Sequence, residues 1–277
     1  MIPFILMGIF ASILLFLPGF SGTDQSKNDL GLEIKSVLRK VNTQNLRDTI
    51  AHLQLYENRS TWENQWKVAR WVSEEFKKIG LEVDMHNYEY HGKIWPNVIA
   101  KINGRTRPEE IIMPIAHIDS ISDHPQKIAP GADDNATGVA ALLEMARVLK
   151  GTPMERTIMF VIFTNEESCR AGSRAYSHLV KSKGVNIKAV INLDIHGYNR
   201  PVWPFYWGAV TGHHTLKHKV KAIYRMARNY FFGMIYGENV VKVAGREPNR
   251  KLVEATSKIL RNVSGLKIKE TVKKDSG

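Results

Sequence analysis

From residue 32 onward the chain switches repeatedly between two kinds of hydrophobic spacing. Residues 32–41 and 46–55 carry apolar side chains at helical intervals, with Leu46, Ile50 and Leu53 on one face. Ser60-Thr61-Trp62-Glu63 has the form of a capping box. The helix it opens would turn Trp62, Trp66, Ala69 and Val72 inward and stop at Gly80. Residues 81–90 and 98–102 alternate with period two, as strands do. Residues 111–116 form a short apolar run, read as a buried strand that ends at His117. Pro114 inside it has no N–H for a ladder, so the strand lies at an edge or its pairing is interrupted. Residues 139–149 read as a helix. Residues 157–164 are apolar on both faces, which suits a sheet covered on both sides. A helix over 172–181, an apolar strand over 187–193 ending at Asp194, and a helix over 215–232 follow. The expected fold is α/β, a three-layer sandwich with a mixed, mostly parallel sheet and helices on both faces.

Two features lie outside that pattern. Residues 1–17 are almost continuously apolar and are broken by Pro18-Gly19, as in a secretory signal peptide, although no Lys or Arg precedes the run. The expected organisation is a signal peptide or membrane anchor over 1–22, a polar linker over 23–31, and one domain over 32–277. An extracytoplasmic location follows, with anchoring by residues 2–17 as the alternative. The formal charge of +12 is concentrated late: from Gly212 onward there are 15 Lys and Arg against 5 Asp and Glu, a net +10. These basic residues interleave with apolar ones at helical spacing, and no nucleic-acid motif accompanies them. They are therefore read as a solvated helix face, with no nucleic-acid partner and no membrane partner beyond the N-terminal segment. The single cysteine, Cys169, excludes an intrachain disulfide.

The chemistry gathers around Gly131-Ala132-Asp133-Asp134-Asn135-Ala136-Thr137-Gly138, two adjacent carboxylates at a helix entrance, where negative charge is favoured. His117, Glu166-Glu167 and Asp194 each follow an expected strand. The crevice beyond the carboxyl ends of strands is where open α/β sheets bind ligands. Imidazole and carboxylate are zinc ligands, and a pair of zinc ions needs a short bridging carboxylate. Asp133 suits that bridge, with His117 and Asp194 on one metal and Glu167 on the other. Asp119 could accept the second N–H of His117 and fix its tautomer. Neighbouring glutamates on extended backbone point opposite ways, so Glu166 could act as general base on the bridging water while Glu167 binds metal. Taken singly, each of these residues is more simply a hydrogen-bonded histidine, a turn or cap residue, or a solvated acid. The reading rests on their combination.

Four stretches carry a family resemblance: IAHIDS (115–120), PGADDNATGVAALLEMARVL (130–149), FVIFTNEESCRAGSRAY (160–176) and INLDIHGY (191–198). Weaker similarity runs back through ENRST (57–61). The chain resembles the secreted di-zinc aminopeptidases of the bacterial leucyl aminopeptidase and aminopeptidase Y type. Glutamate carboxypeptidase, glutaminyl cyclase and the transferrin receptor ectodomain are their relatives. The resemblance implies a zinc-peptidase/phosphorylase-like fold and two zinc ions. It implies ligands at His117, Asp133, Glu167 and Asp194, a base at Glu166, a supporting acid at Asp119, and a cis peptide after Asp133. The family also has a final histidine ligand, in a segment resembling Ser-Asp-His-x-x-Phe, which this sequence lacks; its last histidine is His218.

The expectation is a C-terminally incomplete copy of a peptidase. The alternative is a whole chain whose second zinc is weak or missing, with His196, His213 or His214 as candidate substitutes. The implied activity is removal of N-terminal residues from peptides. Set against it are a non-catalytic ectodomain, favoured by the missing histidine, and a one-zinc glutaminyl cyclase, disfavoured by Asp134-Asn135. Aminopeptidase against carboxypeptidase action stays open, and the aromatic stretch 203–207 could wall a pocket.

Overall fold

The computed structural model describes residues 36–122, 128–194, 240–247, 250–264 and 267–273. The apolar segment 1–22, the linker 23–31, the aromatic stretch 203–207, the expected helix over 215–232, and His196, His213, His214 and His218 lie outside these residues. Among the described residues no helix is long and apolar enough to cross a membrane. The chain divides into two compact units, Met1–Gly197 and Tyr198–Gly277.

In the first unit the order is α1 (Thr43–Gln54), α2 (Trp62–Ile79), β1 (Glu82–Tyr90), β2 (Lys93–Ile102), β3 (Arg107–His117), α3 (Ala136–Leu149), β4 (Arg156–Phe163), α4 (Ala171–Ser182) and β5 (Ile187–Asn192). The five strands form one sheet in the order β1-β2-β4-β3-β5. β2 is antiparallel to both its neighbours, whereas β3 is parallel to β4 and to β5. Four strands therefore run one way and β2 the other, the mixed, mostly parallel sheet expected.

Alternation along β4 builds the layers. Met159, Val161 and Phe163 face α4, where Tyr176, Leu179 and Val180 pack on them. The opposite face carries Phe160, which meets Phe76 of α2 with ring centroids 5.9 Å apart. α1, α2 and α3 thus cover one face and α4 the other. α3 is buried almost all round, Val139, Leu142, Leu143, Ala146 and Leu149 among the rest, because it lies between the sheet and α1.

Several local expectations shift. The N-cap of α2 is Thr61, whose hydroxyl accepts from Asn64 N–H at 3.2 Å, one residue beyond the Ser60 that the capping-box pattern suggested. Gly80 ends that helix in the left-handed conformation, φ 85°, as expected. Its buried face is Gln65, Val68, Ala69, Val72, Ser73 and Phe76, so Trp62 and Trp66 are not core. They sit on the flank, each donating its indole N–H to Ile94 O, under Lys93 and Arg70 respectively. β3 lies inside the sheet, so Pro114 is not at an edge. The ladder with β4 pairs Ile112 with Ile158 and resumes at Ile115 with Val161, the interruption that proline requires.

The second unit holds β6 (Val240–Arg246), α5 (Arg250–Ser264) and β7 (Lys267–Lys273), with β6 and β7 parallel across the α5 connection.

Candidate active site

His117 is the last residue of β3 and lies opposite Phe163, the last of β4. The Ile118 N–H donates to Phe163 O at 2.9 Å, and Leu193 N–H donates to Ile115 O at 2.9 Å. The chain following β4 and the chain following β5 are thereby held beside His117. These tracts carry Glu166-Glu167 and Asp194.

The fourth contribution comes from the entrance to α3. The helix begins at Ala136 with Asn135 as N-cap, three residues before the run that periodicity marked out. The Asn135 carboxamide accepts from Gly138 N–H at 2.9 Å and donates to Leu193 O at 2.8 Å, tying the helix entrance to the residue before Asp194. Gly138 has to be small: a Cβ there would lie 2.5 Å from Leu193 O.

The donor atoms of His117, Asp134 and Asp194 all lie within 4.8 Å of one another. His117 Nε2 is 3.2 Å from Asp134 Oδ1 and 3.6 Å from Asp194 Oδ1. The acid in this group is Asp134, not Asp133 as the sequence suggested. Asp133 turns its carbonyl to Thr137 Oγ1, which donates at 2.6 Å, with the Asp133 carboxylate 3.5 Å from the same hydroxyl. The cis peptide likewise falls at Asp134–Asn135, one residue after the expected position.

Asp119 is almost fully buried and lies beside His117, but it does more than was expected of it. His117 Nδ1 is nearer to the Asp119 backbone carbonyl, 3.2 Å, than to its carboxylate, 3.5 Å. The carboxylate also accepts from Glu166 N–H at 3.0 Å and from Glu167 N–H at 2.9 Å. One acid from the β3 loop thus fixes the backbone of both glutamates. That backbone turns rather than extends: Asn165 ahead of it has φ 54°. Strand alternation therefore does not decide where the two glutamates point. Asn165 is locked by Gln65, whose side-chain oxygen accepts from Asn165 N–H at 3.0 Å, and by Tyr88 OH, which accepts from the Asn165 amide at 2.8 Å.

The electrostatics are those of a crowded acidic cleft. Burial lowers the basicity of His117, but hydrogen bonds with Asp119, Asp134 and Asp194 outweigh it and push the imidazole up to about 12. Burial, then the repulsion of Asp134, raises the Glu167 carboxyl to about 7. Glu166 forms an ion pair with Arg170, Oε1 to Nε 3.3 Å, on the exposed side.

Sequence reasoning missed three participants: Asp134, Asn135 and Arg59. Arg59 is fully buried, and its side chain donates to the backbone carbonyls of Leu53, Ile118, Pro130 and Gly131. An earlier start for α3 would have pointed to Asp134 and Asn135, because Asn is a favoured N-cap. Nothing in the sequence marks Arg59 as buried.

The model of Peptidase family M28 matches residues 97–242, more than half of the chain. The chain belongs to peptidase family M28. A probable zinc metalloprotease of Pyrenophora teres f. teres (strain 0-1) is 29% identical over 193 residues, covering 61% of this chain and 42% of the relative. A probable leucine aminopeptidase of Arthroderma benhamiae (strain ATCC MYA-4681 / CBS 112371) is 29% identical over 180 residues, covering 60% and 49%. The chain spans about half the length of the relatives it matches. Among solved structures, Legionella pneumophila LapA aligns with a TM-score of 0.65 at 18% identity, over 87% of this chain and 58% of that one. A leucine aminopeptidase precursor from Bacteroides thetaiotaomicron aligns with a TM-score of 0.51 at 16% identity, over 83% and 84%. At these identities the structural matches establish the fold, the mixed sheet with helices on both faces.

Proposed function

We propose that the chain carries the metal centre of a zinc-dependent aminopeptidase that hydrolyses N-terminal residues from peptides. One observation carries the reading: His117, Asp134 and Asp194 present one nitrogen and two carboxylates to a common point at the ends of the strands. That donor set suits zinc. A second ion would be held by Asp134 and Glu167. The names of the relatives support zinc and aminopeptidase action.

Zinc bound there supplies Lewis-acid polarisation of the scissile carbonyl. Glu166 takes a proton from the attacking water and returns it to the leaving amine. Its ion pair with the exposed Arg170 is worth less than about 1 kcal/mol, so the carboxylate is readily released for that work. Asp119 holds Glu166 and Glu167 in place through their N–H groups, and its backbone carbonyl sets the orientation of His117. The apolar residues 2–17 support an extracytoplasmic location, by export or anchoring, which sequencing the N-terminus of the mature protein would test.

The test is zinc content and turnover on the same sample. The 277-residue chain should take up zinc, hydrolyse a leucyl anilide, lose activity to a chelator and regain it with zinc. His117→Ala should remove both properties. Turnover that persists in chelator, with the metal shown to be gone, would sink the reading. The zinc stoichiometry decides between a one-ion and a two-ion centre.

A further inference from the structure

Arg59 sits in the connection between α1 and α2 and is the largest fully buried side chain among the described residues. A guanidinium in such a place normally faces a carboxylate, because burying an unpaired charge is costly. Here every hydrogen bond from the side chain goes to a backbone carbonyl, and those carbonyls belong to three separate segments. Nε donates to Ile118 O at 2.7 Å, one residue after His117. Nη2 donates to Gly131 O at 2.8 Å and Nη1 to Pro130 O, both in the tract leading to Asp134. Nη1 also reaches Leu53 O at 3.2 Å, near the end of α1.

The backbone repeats the link. Arg59 N–H donates to Ser120 Oγ at 3.2 Å, and that hydroxyl donates to Ala129 O at 2.5 Å. Gly131, at φ 48°, leaves room for the fork: a Cβ there would lie 2.6 Å from Nη2 and 2.5 Å from Ser120 Cβ.

We propose that Arg59 is a positioning residue for the metal centre, its guanidinium tying the loop after His117 to the loop before Asp134 and so setting the spacing of these two ligands. The proposal rests on the metallopeptidase reading for what the spacing serves. Lysine cannot replace the arginine, because one ammonium cannot span carbonyls spread over three segments. The same cation also lies behind the acidic cleft. Burial lowers its basicity to about 10, against which Asp119 and Asp134 act electrostatically. Arg59 therefore attracts one ligand carboxylate, that of Asp134, without coordinating anything itself.

The experiment compares the wild-type chain with Arg59→Lys and with Val72→Ala, a fully buried α2 position away from both loops. Zinc affinity is read by competition with a chromophoric chelator, and backbone protection by amide hydrogen exchange of the metal-free chains. Arg59→Lys should weaken zinc about 10–100-fold, the usual loss when a group supporting the ligands is removed. Exchange should quicken at 118–122 and 128–135 but not in β4. Val72→Ala should lose thermal stability yet keep its zinc affinity.

Arg59→Lys with zinc affinity within about threefold of wild type would overturn the proposal, given the size of effect expected. So would an equal loss of affinity in Val72→Ala. Should Arg59→Lys not fold, Ser120→Ala cuts the same link more gently and should still weaken zinc; unchanged affinity there overturns the proposal too. A wild-type chain that binds no zinc overturns the metallopeptidase reading, and the exchange pattern then decides whether Arg59 joins the loops.

Discussion

The two ends of β3, β4 and β5 carry charge in opposite ways. At their amino ends acids and bases alternate. Arg107 pairs with Glu155, Arg156 with Glu110 at 2.5 Å, and Lys188 with Glu110 at 3.6 Å. At their carboxyl ends six acids gather, Asp119, Asp133, Asp134, Glu166, Glu167 and Asp194. Among the described residues the bases beside them are His117, the buried Arg59 and the exposed Arg170. The first arrangement satisfies itself. The second, among the described residues, holds excess negative charge in a partly buried cleft, which a cation would relieve. Both ends are rich in charge, and it is the mismatch that marks the functional one.

The sharpest way to break this comparison is to remove charge from each member of the Asp133-Asp134 pair. Asp134→Asn should weaken zinc by more than the roughly 10–100-fold that a supporting residue costs, because a ligand is lost. Asp133→Asn should bind zinc almost as wild type does. Chelator competition on the two purified variants checks this, and the reverse order would return the ligand role to Asp133. Next in size is Glu166→Gln. It should keep its zinc and lose about 10²–10⁴-fold in turnover of a leucyl anilide, the range for a missing general base. Undiminished turnover would take Glu166 out of the mechanism.

That one-residue slip shows what the sequence could and could not tell. Strand ends were legible, because runs such as Thr157 to Phe163 are apolar on both faces and stop abruptly at polar residues. His117, Glu166-Glu167 and Asp194 could therefore be placed on one edge of the sheet. The start of α3 was not legible. Ala136-Thr137-Gly138 carries weak helical signal, yet Asn135 caps the helix there, and with the helix expected to start at Val139 nothing local separated Asp134 from Asp133. Phase was partly lost in α2: Ala69 and Val72 are in the core as expected, but bulky Trp62 and Trp66 drew the inward face towards themselves, and Gln65, Val68 and Phe76 take their place. Arg59 was invisible for a different reason. Its burial comes from carbonyls at positions 53, 118, 130 and 131, and no local pattern encodes contacts that distant.

A smaller effect is expected at the matched end. Glu110→Gln removes the carboxylate shared by Arg156, Lys188 and Arg107. Thermal stability should drop slightly, and less so in high salt, which screens such pairs. Zinc affinity should not move. A change in zinc binding would mean that the two ends are not electrically separate.

The smallest expected effect is in the pH dependence, where the two ends should pull opposite ways. In the metal-free chain His117 is raised from 6.5 to about 12, burial being outweighed by Asp119, Asp134 and Asp194. Its stabilising contribution is complete below about pH 6.5 and lost as pH rises towards the folded value. Glu167 is raised from 4.5 to about 7 by burial and Asp134, so the fold also holds that proton more tightly and loses stability as pH rises through this range. Glu110 differs: burial works upward on its carboxyl, but Arg156, Lys188 and Arg107 hold it below 4.5. Its contribution is present at neutral pH and lost on acidification. Zinc requires His117 and Glu167 deprotonated, so its uptake releases protons and tightens with pH. The rise in Tm on adding zinc should therefore grow between about pH 5 and pH 8, as melting curves with zinc and with chelator would show. The Glu110→Gln variant should show the same growth, since the carboxylate it lacks titrates below that window. A zinc-induced shift that stays flat or shrinks with pH would mean that the cleft releases no protons on binding, and the contrast between the two ends would lose its electrostatic basis.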